Sequence, residues 1–146
     1  MNTAAILDIK KLLSTPKQVV IVPHKNPDGD AMGSTLGLCQ YLKKTGHKAT
    51  VIAPNDYPDF LKWIPGNEEV IIHEMDTATS QDLISSADVI FTLDFNALHR
   101  CGDMGTPISN ATAVKIMIDH HQQPDDYADY VYSDVTMCST CQMVYH

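Results

Sequence analysis

The sequence predicts an α/β fold, a mostly parallel open sheet flanked by helices. Three observations carry that expectation. Short apolar runs rich in β-branched residues, at positions 19–22, 89–93 and 114–118, alternate with stretches of helical periodicity. Nothing between them reads as a tight hairpin, so parallel strands joined by helical crossovers follow. Each run also leads, at once or within a few residues, into side chains that bind cations: His24 to Asp30, then Asp94, then Asp119-His120-His121. Parallel sheets place their function just past the carboxyl ends of the strands.

Taken in order, residues 3–14 have the spacing of an amphipathic helix, with Ile6, Ile9 and Leu13 on one side. Residues 18–23 form the first strand. A helix over 31–45 presents Met32, Leu36, Leu38, Cys39 and Leu42, and Gly46 supplies its stop. The second strand spans 48–53 and ends at Pro54. Residues 57–66, with Pro58, Phe60, Leu61, Trp63 and Pro65, read as an ordered loop holding a short turn of helix. A third strand falls at 70–73, a short helix at 80–87, and a weaker helix at 100–111 between the Asp94 and Asp119 strands. Tyr130-Val131-Tyr132 is a last short strand. Ser133 or Asp134 can cap a terminal helix whose apolar positions are Met137, Cys141, Val144 and Tyr145. That helix carries no stop signal, so the expectation is a domain of residues 1–146 that is incomplete at its C-terminus.

The 146 residues suit one domain with a substantial core, or part of a larger protein. A net charge of −8 argues against binding long duplex nucleic acid through a broad basic surface. It leaves room for a phosphorylated substrate, because bound divalent cations reverse the local sign. No run reaches the ~20 apolar residues that span a bilayer, and nothing resembles a signal peptide. The four cysteines, Cys39, Cys101, Cys138 and Cys141, show no disulfide framework, and a reducing cytoplasm is the expected compartment.

In His24-x-Asn26-x-Asp28-x-Asp30 alternate residues carry ligand atoms on a Pro-Asp-Gly turn, where Gly29 lets the backbone turn so that both aspartates share one space. The competing use is a turn in which Asn26 and Asp28 cap the next helix; Asp94 could likewise be a simple cap. Two adjacent histidines after a buried strand must point in different directions, so one can bind metal while the other faces a substrate. Carboxylates gathered in one crevice repel unless cations sit between them, which makes a site with two metals the first hypothesis. Mixed carboxylate and imidazole ligands without thiolate favour Mn²⁺, with Mg²⁺, Co²⁺ or Fe²⁺ as competitors. Cys138-Ser-Thr-Cys141 has zinc-like spacing but no second pair, and a helical setting makes both cysteines apolar packers. His47, His73 and His99 are expected in solvent. Phe60 and Trp63 are expected as a core anchor rather than a base-stacking platform. Lys43, Lys44 and Lys48 form a solvated helix end. There is no catalytic triad, no Gly-x-x-x-x-Gly-Lys-Ser/Thr loop and no Gly-x-Gly-x-x-Gly.

These three motifs, in this order and at these separations, resemble the DHH phosphoesterase superfamily, with its RecJ-like N-terminal domain. The Asn-Pro-Asp-Gly-Asp form is similar to the branch of oligoribonucleases and 3′-phosphoadenosine-5′-phosphate phosphatases that degrade nanoRNA. The segment Ser133-Asp134 to Ser139-Thr140-Cys141-Gln142 resembles that branch's Asp-x-x-x-Ser-Ser-Thr-x-Glu, with Cys138 for Ser and Gln142 for Glu. The resemblance runs from about residue 18 to the end of the chain. It implies that His24 and Asp28 hold one Mn²⁺, that Asp30 and His120 hold a second, and that Asp94 bridges both. It also implies that His121 faces the phosphate, that Asp119 orients its neighbours, and that Asn26 lies among the substrate-binding residues. Two departures stand out: a further metal-binding Asp and a C-terminal substrate-gripping domain of the family are absent from these residues.

Two metals about 3.5–4 Å apart can bridge a water and make hydroxide available near neutral pH. The implied enzyme hydrolyses short oligoribonucleotides or 3′-phosphoadenosine-5′-phosphate, with weak or no activity expected from residues 1–146 alone. Rival readings are an inorganic pyrophosphatase or exopolyphosphatase, a cyclic-dinucleotide phosphodiesterase, or a non-catalytic nucleotide-binding module. A homodimer is compatible with all of them.

Overall fold

The computed structural model describes residues 3–146. Its strands are β1 (Gln18–Val22), β2 (Lys48–Ala53), β3 (Ile71–Ile72), β4 (Val89–Leu93), β5 (Val114–Asp119) and β6 (Tyr130–Ser133). Its α-helices are α1 (Thr3–Leu12), α2 (Gly29–Lys44), α3 (Thr77–Ser86), α4 (Gly105–Asn110) and α5 (Thr140–Tyr145). The strands form one open sheet in the order β3-β2-β1-β4-β5-β6, and every pairing is parallel. Ile21, for example, lies between Val51 and Phe91.

Alternation along the strands builds two cores. Val19 and Ile21, with Val51, Val89 and Phe91, pack against Met32, Leu36, Cys39 and Leu42 of α2, with Ile9 of α1 and Val144 of α5 at the margin. Val20, Val22, Ile52 and Ile90 face the other way, onto Ile84 of α3 and Ile108 of α4. Buried on both faces, β1 and β4 read as continuous apolar runs, as central strands of a parallel sheet do. Each such side chain contributes about 1.5–3 kcal/mol on burial. The β5–β6 crossover contains no helix. It is pinned instead by Asp125 N donating to Asn96 O at 2.7 Å, Asn96 Nδ2 donating to Gln122 O at 2.7 Å, and a 2.7 Å Tyr127–Thr92 hydroxyl bond.

Several local expectations are corrected. Helix α2 begins at Gly29 rather than Ala31 because the Asp28 carboxylate accepts from Asp30 N and Ala31 N. Helix α3 begins at Thr77 because Asp76 accepts from Thr79 N. The helix expected over 100–111 is broken: a 3₁₀ stretch, Leu98–Met104, kinks at Gly102 (φ +60°, a left-handed value that suits glycine) before α4 starts. The third strand shrinks to Ile71–Ile72 behind a 3₁₀ turn at Asn67–Glu69. Helix α5 begins at Thr140, because Asp134 Oδ1 is engaged by Thr136 while Ser139 Oγ accepts from Gln142 N at 3.1 Å. The helix therefore buries Met143 and exposes Tyr145.

Side-chain placement also departs from expectation. His47 and His73 are buried: His47 Nδ1 accepts from Lys17 N at 3.2 Å, and His73 Nδ1 bonds Ser80 Oγ at 2.7 Å. Cys138 lies before α5 and is exposed, while half-buried Cys141 sits against Asp30. Phe60 and Trp63 are not core residues at all; they are 73% and 78% exposed, because Leu61 is the residue of that turn that faces inward.

Candidate metal centre

The sheet order fixes where a site can form. From β1 the chain runs outward to β2 and β3, then returns to the other side of β1 as β4. The crevice beyond the carboxyl ends of β1 and β4 is thus the topological switch point, where open parallel sheets bind ligands. His24 follows β1, Asp94 follows β4, and Asp119 ends β5 next to it. Asn26 and Asp94 have φ values of +54° and +66°, a left-handed conformation that Asn and Asp tolerate better than other side-chain-bearing residues. Such conformations concentrate at functional sites.

Asp94, 2% exposed, is the centre of the cluster. Its Oδ2 faces His24 Nε2 at 3.6 Å, and its Oδ1 faces His120 Nε2 at 3.6 Å and His121 Nδ1 at 4.0 Å. Asp28 Oδ1 lies 3.9 Å from His24 Nε2, and Asp30 Oδ2 lies 3.6 Å from His120 Nε2. These separations are too long for hydrogen bonds. They do match two ligand atoms of one cation, which with bonds of about 2.0–2.2 Å stand no more than about 4.4 Å apart. His24, Asp28 and Asp94 form one such group, and Asp94, His120 and His121 form another.

The imidazoles are oriented as ligands need to be. His24 Nδ1 is tied to Lys25 O at 2.7 Å and His120 Nδ1 to Met137 O at 3.3 Å, so each ring presents Nε2 to the carboxylates. Ligating histidines hold their second nitrogen in this way. His121 differs. Its Nδ1 is held by Asp119 Oδ1 at 2.7 Å and its backbone N–H donates to Asp119 Oδ2 at 3.1 Å, so Nε2 is the ring nitrogen turned away from Asp119. Asp119 itself is fully buried.

Asp28 serves two purposes, capping α2 and facing His24, so the capping alternative and the cluster coexist. Asn26 is tied to Asn55: its N–H donates to Asn55 Oδ1 at 2.7 Å, and its Oδ1 accepts from Asn55 Nδ2 at 2.9 Å. Sequence reasoning missed three contributors, Asn55, Thr140 and Cys141. The N–H groups of Thr140 and Cys141 donate to Asp30 Oδ2 and Oδ1, both at 2.8 Å, and Thr140 Oγ1 donates to Asp94 Oδ1 at 2.8 Å. The Ser139-x-x-Gln142 capping pattern was the available signal, since it starts the helix at Thr140.

The electrostatics follow from these contacts. The Asp94 carboxylate raises the His24 pKa above 6.5, against the lowering effect of burial. Burial pushes Asp30 up, but the N–H groups of Cys141 and Thr140 outweigh it and hold the carboxyl below 3.8. Burial, and next the neighbouring Asp30, push the Cys141 thiol up to about 12.

An open parallel sheet that gathers aspartates and histidines at its switch point is a framework for holding divalent cations. A model of the DHH family, N-terminal domain, matches residues 18–146, and the chain belongs to that family. It is 30% identical over 139 residues to the bifunctional oligoribonuclease and PAP phosphatase NrnA of Thermus thermophilus, and 26% identical over 138 residues to NrnA of Bacillus subtilis. Those alignments cover 95% and 94% of this chain but only 38% and 40% of the relatives, so the chain spans about two fifths of their length. Among solved structures, an exopolyphosphatase-related protein from Bacteroides fragilis superposes with a TM-score of 0.96 at 40% identity, covering 99% of this chain and 42% of that one. The exonuclease RecJ bound to manganese matches with a TM-score of 0.57 at 15% identity, covering 97% of this chain and 34% of RecJ, a likeness of fold. Among the described residues, no helix is long and apolar enough to cross a membrane.

Proposed function

We propose that this chain is the catalytic domain of a two-metal phosphoesterase that hydrolyses short oligoribonucleotides or 3′-phosphoadenosine-5′-phosphate. The observation that carries the reading is Asp94, whose two oxygens each face a different histidine at 3.6 Å, His24 on one side and His120 on the other. In this reading His24 and Asp28 would hold one cation, Asp30 and His120 the other, and Asp94 would contribute to both, with Mn²⁺ best suited to the donor set. When bound, the two ions would supply an activated water and charge neutralisation for the phosphoryl group.

The protein's own groups do the rest. Thr140 holds one oxygen of Asp94, and the start of α5 holds both oxygens of Asp30, so neither carboxylate must be ordered when a substrate arrives. Asp119 fixes the His121 ring so that Nε2 is the nitrogen offered to the phosphate, where an N–H would donate to a phosphoryl oxygen as charge develops there. The amide nitrogen of Asn26 is a second donor. The NrnA relatives favour a nucleotide substrate. A second reading, polyphosphate or pyrophosphate, is favoured by the 40% identical exopolyphosphatase-related structure.

The test is hydrolysis by the protein in Mn²⁺ of a diribonucleotide, 3′-phosphoadenosine-5′-phosphate and pyrophosphate, side by side. Turnover of the first or second supports the proposal. Rapid cleavage of pyrophosphate with both nucleotides intact transfers the site to the second reading.

A further inference from the structure

We infer that Phe60 and Trp63 form a stacking platform that binds a base of the substrate at the edge of the candidate metal centre. The inference rests on the nucleotide reading of that centre. Large aromatic side chains left in solvent are costly, and adjacent ones mark a binding surface. Here two occupy one short turn: Phe60 lies in the 3₁₀ segment Asp59–Leu61 and Trp63 follows two residues after that segment ends, both largely in solvent.

The position of the turn identifies the occupant. Residues 55–61 are braced against the site loop at two points. Asn55 makes its paired hydrogen bonds with Asn26, between the ligand candidates His24 and Asp28. Leu61 Cδ2 lies 3.9 Å from where a Cβ on Gly29 would stand, between Asp28 and Asp30. Phe60 and Trp63 stand on either side of that Leu61 anchor in the chain, so the turn that carries them is fixed to the loop of Asp28 and Asp30. Its chemistry suits a base rather than a second phosphate: the one cation of the turn, Lys62, is already paired with Asp56 at 3.1 Å and Asp59 at 3.2 Å. What remains are two π faces, which stack on any base without reading its edge. The platform therefore selects nucleotides over inorganic phosphates, without strong preference among bases.

Trp63 is the single tryptophan of the sequence, so its emission reports on stacking directly. The experiment titrates a 5′-phosphorylated diadenylate into wild-type protein, Phe60→Ala and Trp63→Leu, following indole fluorescence and calorimetric heat in parallel, with pyrophosphate as the baseless probe. The expected result is saturable quenching in wild type and Phe60→Ala, with the dinucleotide Kd raised roughly 5- to 150-fold in each variant. Pyrophosphate binding should be unchanged in all three. Dinucleotide heat without a change in Trp63 emission, and with unaltered Kd in the variants, overturns the platform and leaves the nucleotide reading standing. A change of oligomeric state in the variants by light scattering, with unaltered dinucleotide Kd, assigns the patch to a protein contact and also overturns it. If wild type binds pyrophosphate but no dinucleotide, the nucleotide reading itself fails and the platform falls with it.

Discussion

Replacing Thr140 by Val isolates the contact that ties the C-terminal helix to the centre of the cluster. The Thr140 hydroxyl donates to Asp94 Oδ1 at 2.8 Å, and both residues are buried, so water does not replace the lost donor. The backbone bond from Thr140 N to Asp30 Oδ2 survives the change. A hydrogen bond to a charged group contributes about 1.5–3 kcal/mol, so the unfolding equilibrium of metal-free protein should shift roughly 10- to 160-fold. With a urea slope of about 1–3 kcal/mol/M, the midpoint should fall by about 1 M. Thr140→Ser keeps the hydroxyl and loses one methyl, a cost of about 0.8 kcal/mol, which sets the expected order as wild type, then Ser, then Val. Freed of its tether, Asp94 should also lose roughly 10- to 100-fold in manganese affinity, as is typical when a ligand's outer partner is removed. A Val variant as stable as wild type, or more stable than the Ser variant, would show that the Thr140–Asp94 bond does not stabilise the fold.

Asp94→Ala should abolish calorimetric binding of both manganese ions, whereas His24→Ala should lose mainly one; unchanged titration in Asp94→Ala removes the bridging role. Asp30 has its carboxyl held below 3.8 in the folded state, so its contribution to stability is present above that ordinary value and is lost as pH falls through the lower folded one. In metal-free protein the urea midpoint of wild type should therefore exceed that of Asp30→Ala at about pH 5 and converge toward it below pH 3.8; a constant difference would contradict the α5 tether. In the full-length protein, His121→Ala should lower kcat on the nucleotide substrate by roughly 10²-fold or more while leaving manganese stoichiometry intact, as for a group acting mainly on the transition state. Loss of metal instead would make His121 a ligand.

The parts legible in the sequence are those fixed by burial. The runs at β1 and β4 are buried on both faces, and no local alternative competes with a central parallel strand there. The α2 core positions Met32, Leu36, Leu38, Cys39 and Leu42 are all buried as their spacing requires. Strand ends then bring His24, Asp94 and Asp119-His120-His121 together without further information. What sequence spacing did not reveal depends on competition between caps. Asp134 and Ser139 both suit a helix start, and Asp134 is diverted into a turn with Thr136, so Thr140 emerges as a tether of the site rather than a mid-helix residue. Phe60 and Trp63 were misplaced for a related reason: aromatic content suggests core, yet in a turn this short Leu61 alone takes the inward position. Likewise Asn55 contributes only through a partner 29 residues away, a distance no local pattern encodes.

The central claim is that Asp94 holds two cations at once. A crystal of the protein grown in Mn²⁺, with data collected at the manganese absorption edge, measures this directly. Two anomalous peaks about 3.5–4 Å apart are expected, both bonded to Asp94, one also to His24 and Asp28 and the other to Asp30 and His120. A single peak that leaves Asp94 uncoordinated, or two peaks that do not share it, would rule out a bridging Asp94.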